Sequence, residues 1–303
     1  MSGRFLANVP GMKTASAVPE LDPRTLSEDV FHRDYVANSR PCVIRGAVKH
    51  WSALEKWRDK EYLKSRSGQH PVSLFLCELH VTKKRIAGNE RVTTFGDAIE
   101  RLHSAQTERG IVGFPVPPEI LSDVGDVSFL GQTDPAFWYH RVRGFFYRRA
   151  GTAWHIHQFD ETLTCQIIGR KTIGLVGSAN PYNFDLRYIF YTEDYYDDPT
   201  AFADLEGANL PWYSVTLEEG DALYIPPLWW HGVAPQTETF GITTAVTWRS
   251  PPHVIANGII RMARGEIDMF GKTTAPHFQS LVEVARKMGL ERELAIAASA
   301  SPM

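Results

Sequence analysis

The sequence predicts a mainly β fold with helical additions, in which an antiparallel sandwich or barrel over residues 141–250 forms the core. Glycine and proline separate most of the strand-like runs in this region, a pattern typical of antiparallel strands joined by turns. The runs lie at 145–149, 153–159, 163–168, 172–176, 213–217, 221–226 and 241–248. The 303 residues are expected to form one domain, with a helical and strand-containing N-terminal region (1–140) and a helical tail (251–303).

The N-terminal region is expected to begin with a loose arm, because residues 1–24 are small, polar and interrupted by proline. Ser27 is positioned to cap the helix that follows. Helical and strand-like spacing then alternate, and predict a helix over 26–35, a strand over 41–46, a helix over 52–65, a strand over 72–77, a helix over 94–107 and a strand over 111–118.

One segment interrupts the predicted β core. Residues 177–212 are too many for a hairpin connection, so we expect them to form an inserted excursion. The acidic, tyrosine-rich stretch 191–198 within it is expected to be an exposed loop with ordinary charges.

The tail after Pro251 and Pro252 is expected to turn helical. One face of its last helix carries the apolar residues Val282, Ala285, Met288 and Leu294. A second apolar group precedes that helix and consists of Ile255, Ile259, Ile260 and Met262. This second group suggests a homodimer through the C-terminal helices, which the sequence permits without requiring.

Composition and charge argue against several classes of protein. A net charge of −3 argues against nucleic-acid or membrane partners selected by bulk electrostatics. The three cysteines, Cys42, Cys77 and Cys165, are odd in number and do not form a disulfide framework. Neither a signal peptide nor a membrane anchor is indicated. We therefore expect a cytoplasmic protein.

The most informative pattern is a pair of histidines, His155 and His157, followed some seventy residues later by His231. Two residues that stand two apart on a strand project from the same face. His231 follows an apolar strand-like run and a Pro-Pro break, so it could complete the site from a second strand. Two or three imidazoles on one rigid platform suit iron, copper, zinc or nickel.

These motifs resemble those of the JmjC hydroxylases within the cupin superfamily, most closely the small cupin-like members. The segments that carry the resemblance are Arg40–Gly46 followed by Trp51 and Trp57, Gly151–His155, Gln166–Lys171 and Gly220–His231. Together they cover roughly residues 35–250, and the last one, with its Gly-Asp start and Trp-Trp-His end, is specific.

The resemblance implies a double-stranded β-helix core, also called a cupin or jelly-roll fold. It implies that His155 and His231 bind iron(II), and that Thr152 and Lys171 hold the distal carboxylate of the cosubstrate 2-oxoglutarate, with dioxygen as the oxidant. Tyr147, on the strand before the site, could also reach a bound carboxylate.

The chain departs from the family pattern at the second ligand, because His157 stands where the family has an aspartate. A third histidine leaves the same number of open positions on an octahedral metal but keeps its full positive charge, which favours an anionic ligand. Glu161 or Asp160 could restore a carboxylate only if the chain bends between them and His157. We favour three histidines, with Glu161 outside the metal's own ligands.

Three functional hypotheses follow. The leading one is a metal-dependent oxygenase of the JmjC and cupin type that uses iron(II), or another divalent transition metal, and 2-oxoglutarate. It would hydroxylate or otherwise oxidise an unidentified small-molecule or peptide substrate. The second is a three-histidine cupin dioxygenase that works without 2-oxoglutarate. The third is a non-catalytic cupin-like protein that binds a ligand or partner.

Overall fold

The computed structural model of the chain describes residues 4–77, 90–104, 109–192, 199–205, 208–236, 239–270 and 276–299. The strands within these ranges are β1 (Ser16–Ala17), β2 (Glu20–Leu21), β3 (Cys42–Ile44), β4 (Pro71–Cys77), β5 (Glu90–Thr94), β6 (Arg109–Pro115), β7 (Val142–Arg148), β8 (Thr152–His155), β9 (Asp160–Ile168), β10 (Lys171–Gly177), β11 (Tyr213–Leu217), β12 (Ala222–Ile225), β13 (Trp229–Pro235) and β14 (Phe240–Arg249).

The helices in the same ranges are α1 (Arg4–Ala7), α2 (Glu28–Phe31), α3 (Ala53–Lys56), α4 (Lys60–Ser67), α5 (Phe95–Ser104), α6 (Pro118–Leu121), α7 (Asn183–Thr192), α8 (Pro252–Phe270), α9 (Pro276–Lys287) and α10 (Glu291–Ser299). Short 3-10 turns cover Pro10–Thr14 and Pro199–Leu205, and a π-helical turn covers His32–Val36. None of the helices in the described ranges is long and apolar enough to cross a membrane.

The strands form two sheets, as the antiparallel sandwich prediction requires. The smaller sheet has the order β1-β11-β10-β13-β8, and the larger has the order β2-β3-β12-β9-β14-β7-β6-β4-β5. All pairs in the centre of both sheets are antiparallel. Ile173 and Leu175 of the smaller sheet share one buried apolar cluster with Leu223 and Ile225 of the larger. The core therefore lies between the two sheets.

The predicted helices of the N-terminal region cover the outer face of the larger sheet. Ser27 caps α2, because its hydroxyl accepts a hydrogen bond from the backbone N–H of Val30 at 3.3 Å. The helix predicted over 52–65 is divided into α3 and α4. The division occurs because the Asp59 side chain caps a new helix by accepting from the N–H of Glu61.

The expectation of a loose N-terminal arm over residues 1–24 is wrong for residues 4–24. β1 pairs with β11 and β2 pairs with β3, both in parallel. Val9 and Val18 are almost completely buried. Val9 lies in a buried cluster with Trp154 and Trp230, and Val18 in one with Ile173 and Val215, so both pack beside strands that come much later in the chain.

The inserted excursion over 177–212 is folded rather than loop-like in the part that the structure describes. It contains α7 and a 3-10 turn, and it buries Phe190 and Phe202. The Phe190 ring stacks on Trp154 of β8 at 4.9 Å between centroids. Most of the acidic stretch, residues 193–198, lies outside the described residues. The excursion therefore supports the back of the strand that carries His155.

The helical tail is confirmed, but the segment predicted as one last helix is two helices. Gly289, with φ +77°, separates α9 from α10, a conformation that favours glycine. Ile255, Ile259 and Met262 of α8 are buried inside the chain, in a cluster with Phe159. These apolar residues are the ones that suggested a dimer, and they are covered by the protein's own β core and tail.

Candidate metal centre

Three histidine side chains from two neighbouring strands converge in the structure. His155 ends β8, and His231 lies directly opposite it on β13 in the antiparallel register. The ring centroids are 4.0 Å apart for His155 and His231, 4.8 Å for His157 and His231, and 5.2 Å for His155 and His157. One nitrogen from each ring lies within 4.8 Å of the other two. The three imidazoles therefore form a compact set of nitrogen donors.

The backbone around the break between β12 and β13 positions His157. Leu228 follows the two prolines and has φ +61°, an unusual conformation for a leucine. Its N–H donates a 2.7 Å hydrogen bond to the carbonyl of His157. His157 lies beyond the end of β8, so this bond replaces the strand pairing that would otherwise hold it in place.

Hydrogen bonds orient each ring so that one nitrogen remains for a metal. His155 Nδ1 lies 2.8 Å from the Ala153 carbonyl, and His231 Nδ1 lies 2.9 Å from the Trp229 carbonyl. A carbonyl only accepts, so both Nδ1 atoms carry the proton and both Nε2 atoms keep a lone pair. His157 Nδ1 is 2.8 Å from the hydroxyl of Thr162. Such outer contacts are typical of metal-binding histidines.

Burial keeps the three rings neutral. It lowers the pKa of His155 to about 4, and it lowers the pKa values of His157 and His231 well below their usual range. The mutual repulsion of the rings, were they charged, acts in the same direction. A neutral imidazole is the form that binds a metal. The cluster is thus ready to bind a cation near neutral pH without first losing protons.

The histidines line a cavity of about 320 Å³ between the two sheets. Of the other residues singled out in the sequence, Thr152, Lys171 and Tyr147 also line it. No aspartate or glutamate is found among the described residues that line this cavity. The structure therefore brings the predicted metal and cosubstrate residues to one place, and leaves that place without an acidic side chain.

Lys171 is the main charged group of the cavity on the side of β10. It is only 5% exposed, and within the described part of the chain no hydrogen bond or ion pair engages its ammonium group. Burial lowers its pKa from 10.5 to about 7. A buried ammonium group without a protein partner is energetically costly, so an anion that enters the cavity beside Lys171 would be stabilising.

Tyr147 and Thr152 add neutral polar groups. The Tyr147 hydroxyl accepts a 3.0 Å hydrogen bond from Gln166 Nε2, and burial raises the pKa of this phenol. Thr152 starts β8 and lies opposite Val233 of β13. Both side chains are therefore available as uncharged hydrogen-bonding groups at the cavity wall.

The two acids considered as possible ligands lie elsewhere. Glu161 accepts hydrogen bonds from the Tyr224 hydroxyl at 2.6 Å and the Ser250 hydroxyl at 2.5 Å, and burial raises its pKa to about 7. Asp160 accepts from the backbone N–H groups of Phe137 and Trp138. Neither acid belongs to the histidine cluster. Glu161 therefore lies outside the histidine cluster, in agreement with the interpretation that the sequence favours.

Sequence reasoning missed three residues of the site: Thr162, Tyr139 and Arg143. Alternation along β7 could have found Arg143, because Arg143 and Tyr147 share one face of that strand and both line the cavity. Arg149, which shares their parity in the sequence, lies past the end of β7 and has φ +51°. No local signal marks Thr162 or Tyr139, because their roles depend on contacts with His157 and Arg143.

The chain belongs to the cupin-like domain family, whose model matches residues 27–111 and 147–253, more than half of the sequence. This membership confirms the expected jelly-roll core and the resemblance to JmjC proteins.

Several known proteins are similar to the chain. Jumonji C domain-containing protein 5 of Drosophila melanogaster is 25% identical over 253 residues, which are 75% of this chain and 59% of that protein. Lysine-specific demethylase JMJ30 of Arabidopsis thaliana is 25% identical over 242 residues, 72% of this chain and 52% of that protein. The human bifunctional peptidase and (3S)-lysyl hydroxylase JMJD7 is 45% identical over 60 residues, 19% of this chain and 18% of that protein. The chain thus spans between about half and three fifths of the length of the first two.

Proposed function

We propose that this protein is an iron(II)- and 2-oxoglutarate-dependent oxygenase of the JmjC and cupin type, with His155, His157 and His231 as its metal ligands. The observation that carries the proposal is the combination of a neutral three-nitrogen cluster and an unpaired buried lysine in one cavity. Family membership and the names of the similar proteins, among them a demethylase and a hydroxylase, support the same reaction class.

The donor set fits a divalent transition metal. Imidazole nitrogens suit iron, zinc, copper and nickel, whereas magnesium and calcium prefer oxygen donors. The backbone carbonyls at Ala153 and Trp229 fix two of the rings with Nε2 towards the cluster. Three protein ligands leave positions open for exogenous ligands. The same set would bind zinc or nickel, so iron is assigned through the family rather than through the donors.

The cavity also fits 2-oxoglutarate, which carries two carboxylates. Lys171 would bind the distal carboxylate, with Thr152 and Tyr147 donating hydrogen bonds from their hydroxyl groups. A carboxylate beside Lys171 would supply the missing charge partner and raise the lysine pKa from about 7. When bound, iron(II) and 2-oxoglutarate supply an oxidising chemistry in which dioxygen converts the cosubstrate to succinate and carbon dioxide and hydroxylates a C–H bond of the substrate.

The protein's own side chains bind, orient and exclude water in this scheme. The lysine and the two hydroxyl groups align the cosubstrate along the cavity, and apolar side chains such as Ile225 and Val233 keep the wall dry. Thr162 holds the His157 ring, the one that replaces the family's aspartate. Because all three ligands are neutral, the full charge of the metal is available to attract anionic ligands.

A three-histidine dioxygenase that uses no 2-oxoglutarate is the second candidate, and the absence of acidic residues among the described cavity lining favours it. In that case the substrate itself would bind the metal, and Lys171 would contribute no cosubstrate contact. The unpaired state of Lys171 supports the first candidate instead.

The test is a pair of titrations on purified protein loaded anaerobically with iron(II), followed by oxygen-consumption and succinate assays. We expect metal-dependent binding of 2-oxoglutarate, lost in H155A and H231A and kept in H253A, a matched variant of an exposed histidine on α8. Metal binding without any affinity for 2-oxoglutarate would reject the first candidate in favour of the second. Absence of metal binding would reject both.

A further inference from the structure

Arg143 is a second cationic side chain in the cavity that the three histidines line. It belongs neither to the histidine cluster nor to the residues proposed to hold 2-oxoglutarate. It lies on β7 opposite Ala245 of β14, and both residues line the cavity. Its side chain is largely withdrawn from solvent, and burial lowers its pKa. Within the described residues, its buried Nε has no hydrogen-bond partner and no carboxylate forms an ion pair with the guanidinium. Asp160 exerts a Coulombic attraction on the guanidinium without an ion pair, and it does not line the cavity.

Aromatic rings fix the orientation of this guanidinium. Its central carbon lies 3.9 Å from the centre of the Tyr139 ring and 5.4 Å from that of Phe145. An arginine stacked on a ring keeps its N–H donors free in its own plane, which is the geometry that binds a carboxylate through two parallel hydrogen bonds. Arg143 is therefore preorganised towards an anion that the protein does not supply.

Arg143 and Lys171 act on different sides of the histidine cluster. Arg143 lies on β7 of the larger sheet, whereas Lys171 lies on β10 of the smaller sheet, where β10 pairs with the strand that carries His231. The Tyr139 ring that stacks on Arg143 is 5.3 Å from the His157 ring. A cosubstrate that extends from Lys171 to the metal would therefore leave the Arg143 side of the cavity open.

Charge balance points in the same direction. A divalent metal, the Lys171 ammonium and the Arg143 guanidinium together carry more positive charge than the two carboxylates of 2-oxoglutarate can neutralise. No acidic residue of the described lining makes up the difference, because His157 occupies the position where the family has an aspartate. Buried charge without compensation is costly, so a further anion is favoured in the loaded site.

We infer that Arg143 binds the carboxylate of the substrate, and that the substrate is a small organic acid. This inference rests on the proposed function, because it takes 2-oxoglutarate to occupy the Lys171 side. The cavity of about 320 Å³ is near the lower end of the roughly 300–1,000 Å³ usual for ligand sites, and it holds the cosubstrate as well. The rings of Tyr139 and Phe145 beside the guanidinium favour an acid with an apolar or aromatic body.

The experiment compares acids with their neutral amides on protein loaded with nickel(II), which suits imidazole ligands and prevents turnover. Phenylacetate and benzoate are titrated calorimetrically in the presence of saturating 2-oxoglutarate, each beside its amide. We expect at least one acid to bind roughly tenfold more tightly than its amide, since a charged hydrogen-bonded pair replaces a neutral one. The variant R143M is expected to lose this preference and R143K to recover part of it.

R148M is the matched control, because Arg148 lies on the same strand but faces away from the cavity and donates to the carbonyls of Leu102 and His103. It is expected to keep the preference for the acid. Thermal unfolding of each variant checks that the fold is intact. Equal binding of acid and amide, or no binding of either acid where a Kd of about 1 mM would be detected, overturns the inference.

A separate titration of 2-oxoglutarate distinguishes this inference from the proposed function. If nickel-loaded wild-type protein does not bind 2-oxoglutarate, the proposed function fails, whatever the acids do. If 2-oxoglutarate binds but R143M weakens its binding more than K171M does, the cosubstrate lies against Arg143 and the inference is overturned. The expected result is the reverse order, with the larger loss in K171M.

Discussion

Lys171 gives the sharpest quantitative prediction, because it is a charged group that the metal-free protein buries without compensation. The side chain is 5% exposed, and burial lowers its pKa from 10.5 to about 7. The variant K171M keeps a long, flexible and largely apolar side chain but removes the charge. We expect it to make the metal-free protein more stable while it weakens the binding of 2-oxoglutarate.

The stability gain follows from the pKa. Because the pKa of Lys171 is lower in the folded than in the unfolded protein, the folded state of the wild type is penalised most below pH 7, where the lysine is protonated in both states. At about 1.36 kcal/mol per tenfold change, that penalty is about 5 kcal/mol at pH 6 and falls to about 2 kcal/mol at pH 9. The free energy of unfolding of K171M is therefore expected to exceed that of the wild type by about 5 kcal/mol at pH 6 and by about 2 kcal/mol at pH 9. Urea denaturation at both pH values measures this difference.

The binding of 2-oxoglutarate is expected to depend on pH in the opposite direction from this stability penalty, with the strongest binding at low pH. A bound carboxylate would raise the Lys171 pKa from about 7, so the affinity for 2-oxoglutarate is expected to be full below pH 7 and to decline as the pH rises above it. Loss of one charged hydrogen bond costs about 1.5–3 kcal/mol, which is roughly a 10- to 150-fold increase in the Kd of K171M. The exposed Lys60, which pairs with Glu100, provides the control K60M. A K171M protein that is less stable than the wild type at pH 6, or that binds 2-oxoglutarate equally well, refutes this reasoning.

Three further predictions concern His157 of the histidine cluster and the nearby residues Thr162 and Glu161. T162V removes the hydroxyl that holds His157 Nδ1, and is expected to weaken metal binding roughly 10- to 100-fold, as measured by competition with a chelator. H157D reduces the positive charge of the metal-loaded site, so its affinity for 2-oxoglutarate is expected to fall at least about tenfold in calorimetry, and an unchanged affinity contradicts the charge argument. E161Q removes a carboxyl group whose pKa of about 7 in the folded protein exceeds its value in the unfolded protein. The wild type therefore loses stability as the pH rises through 7, and E161Q does not. Relative to the wild type, the free energy of unfolding of E161Q in urea is expected to rise by about 2.5 kcal/mol between pH 5 and pH 8. A pH-independent difference would show that Glu161 is not the titrating group.

The histidine cluster could be predicted from the sequence because its geometry is local. The spacing of His155 and His157 and the position of His231 after a Pro-Pro break were enough to suggest a shared face. The register of β8 and β13 places His231 opposite His155, and the hydrogen bond from Leu228 holds His157 just past the end of β8. The same applies to Lys171, which starts β10 and was identified through a short motif. Patterns of this kind can be predicted because one strand, or one pair of neighbouring strands, determines where the side chains lie.

The position of Glu161 depends on where a strand ends, which the sequence does not show. Counting along an unbroken strand gives Glu161 the same facing as His157, but β8 ends at His155 and β9 begins at Asp160. The chain turns between them, so the parity of the second strand is set by its own pairing with β14, where Glu161 lies opposite Trp248. Parity holds only within one strand, and the sequence did not show where the strand would end.

The prediction of a loose N-terminal arm was wrong because the segment pairs with strands that lie outside it in the sequence. Ser16 pairs with Tyr213, a partner almost two hundred residues later, and Glu20 pairs with Val43. Strands of two residues carry no periodicity that a sequence can show. Their order comes from the edge of a sheet that already exists, so composition predicts a loose arm where the folded protein has an edge strand.

The substitution of histidine for aspartate at position 157 changes where the charge of the site is balanced. A site with an aspartate carries part of its neutralising charge in the protein, and it has that charge before any ligand arrives. In this protein the cavity has Lys171 and Arg143, no acid among its described lining, and three histidines that burial keeps neutral. The balancing charge must therefore come from the ligands, and each anion that enters stabilises the folded state by its own binding energy. The presence of His157 in place of an aspartate would thus make the proposed site more dependent on anionic ligands, which is why the charge of the substrate is the property to test first.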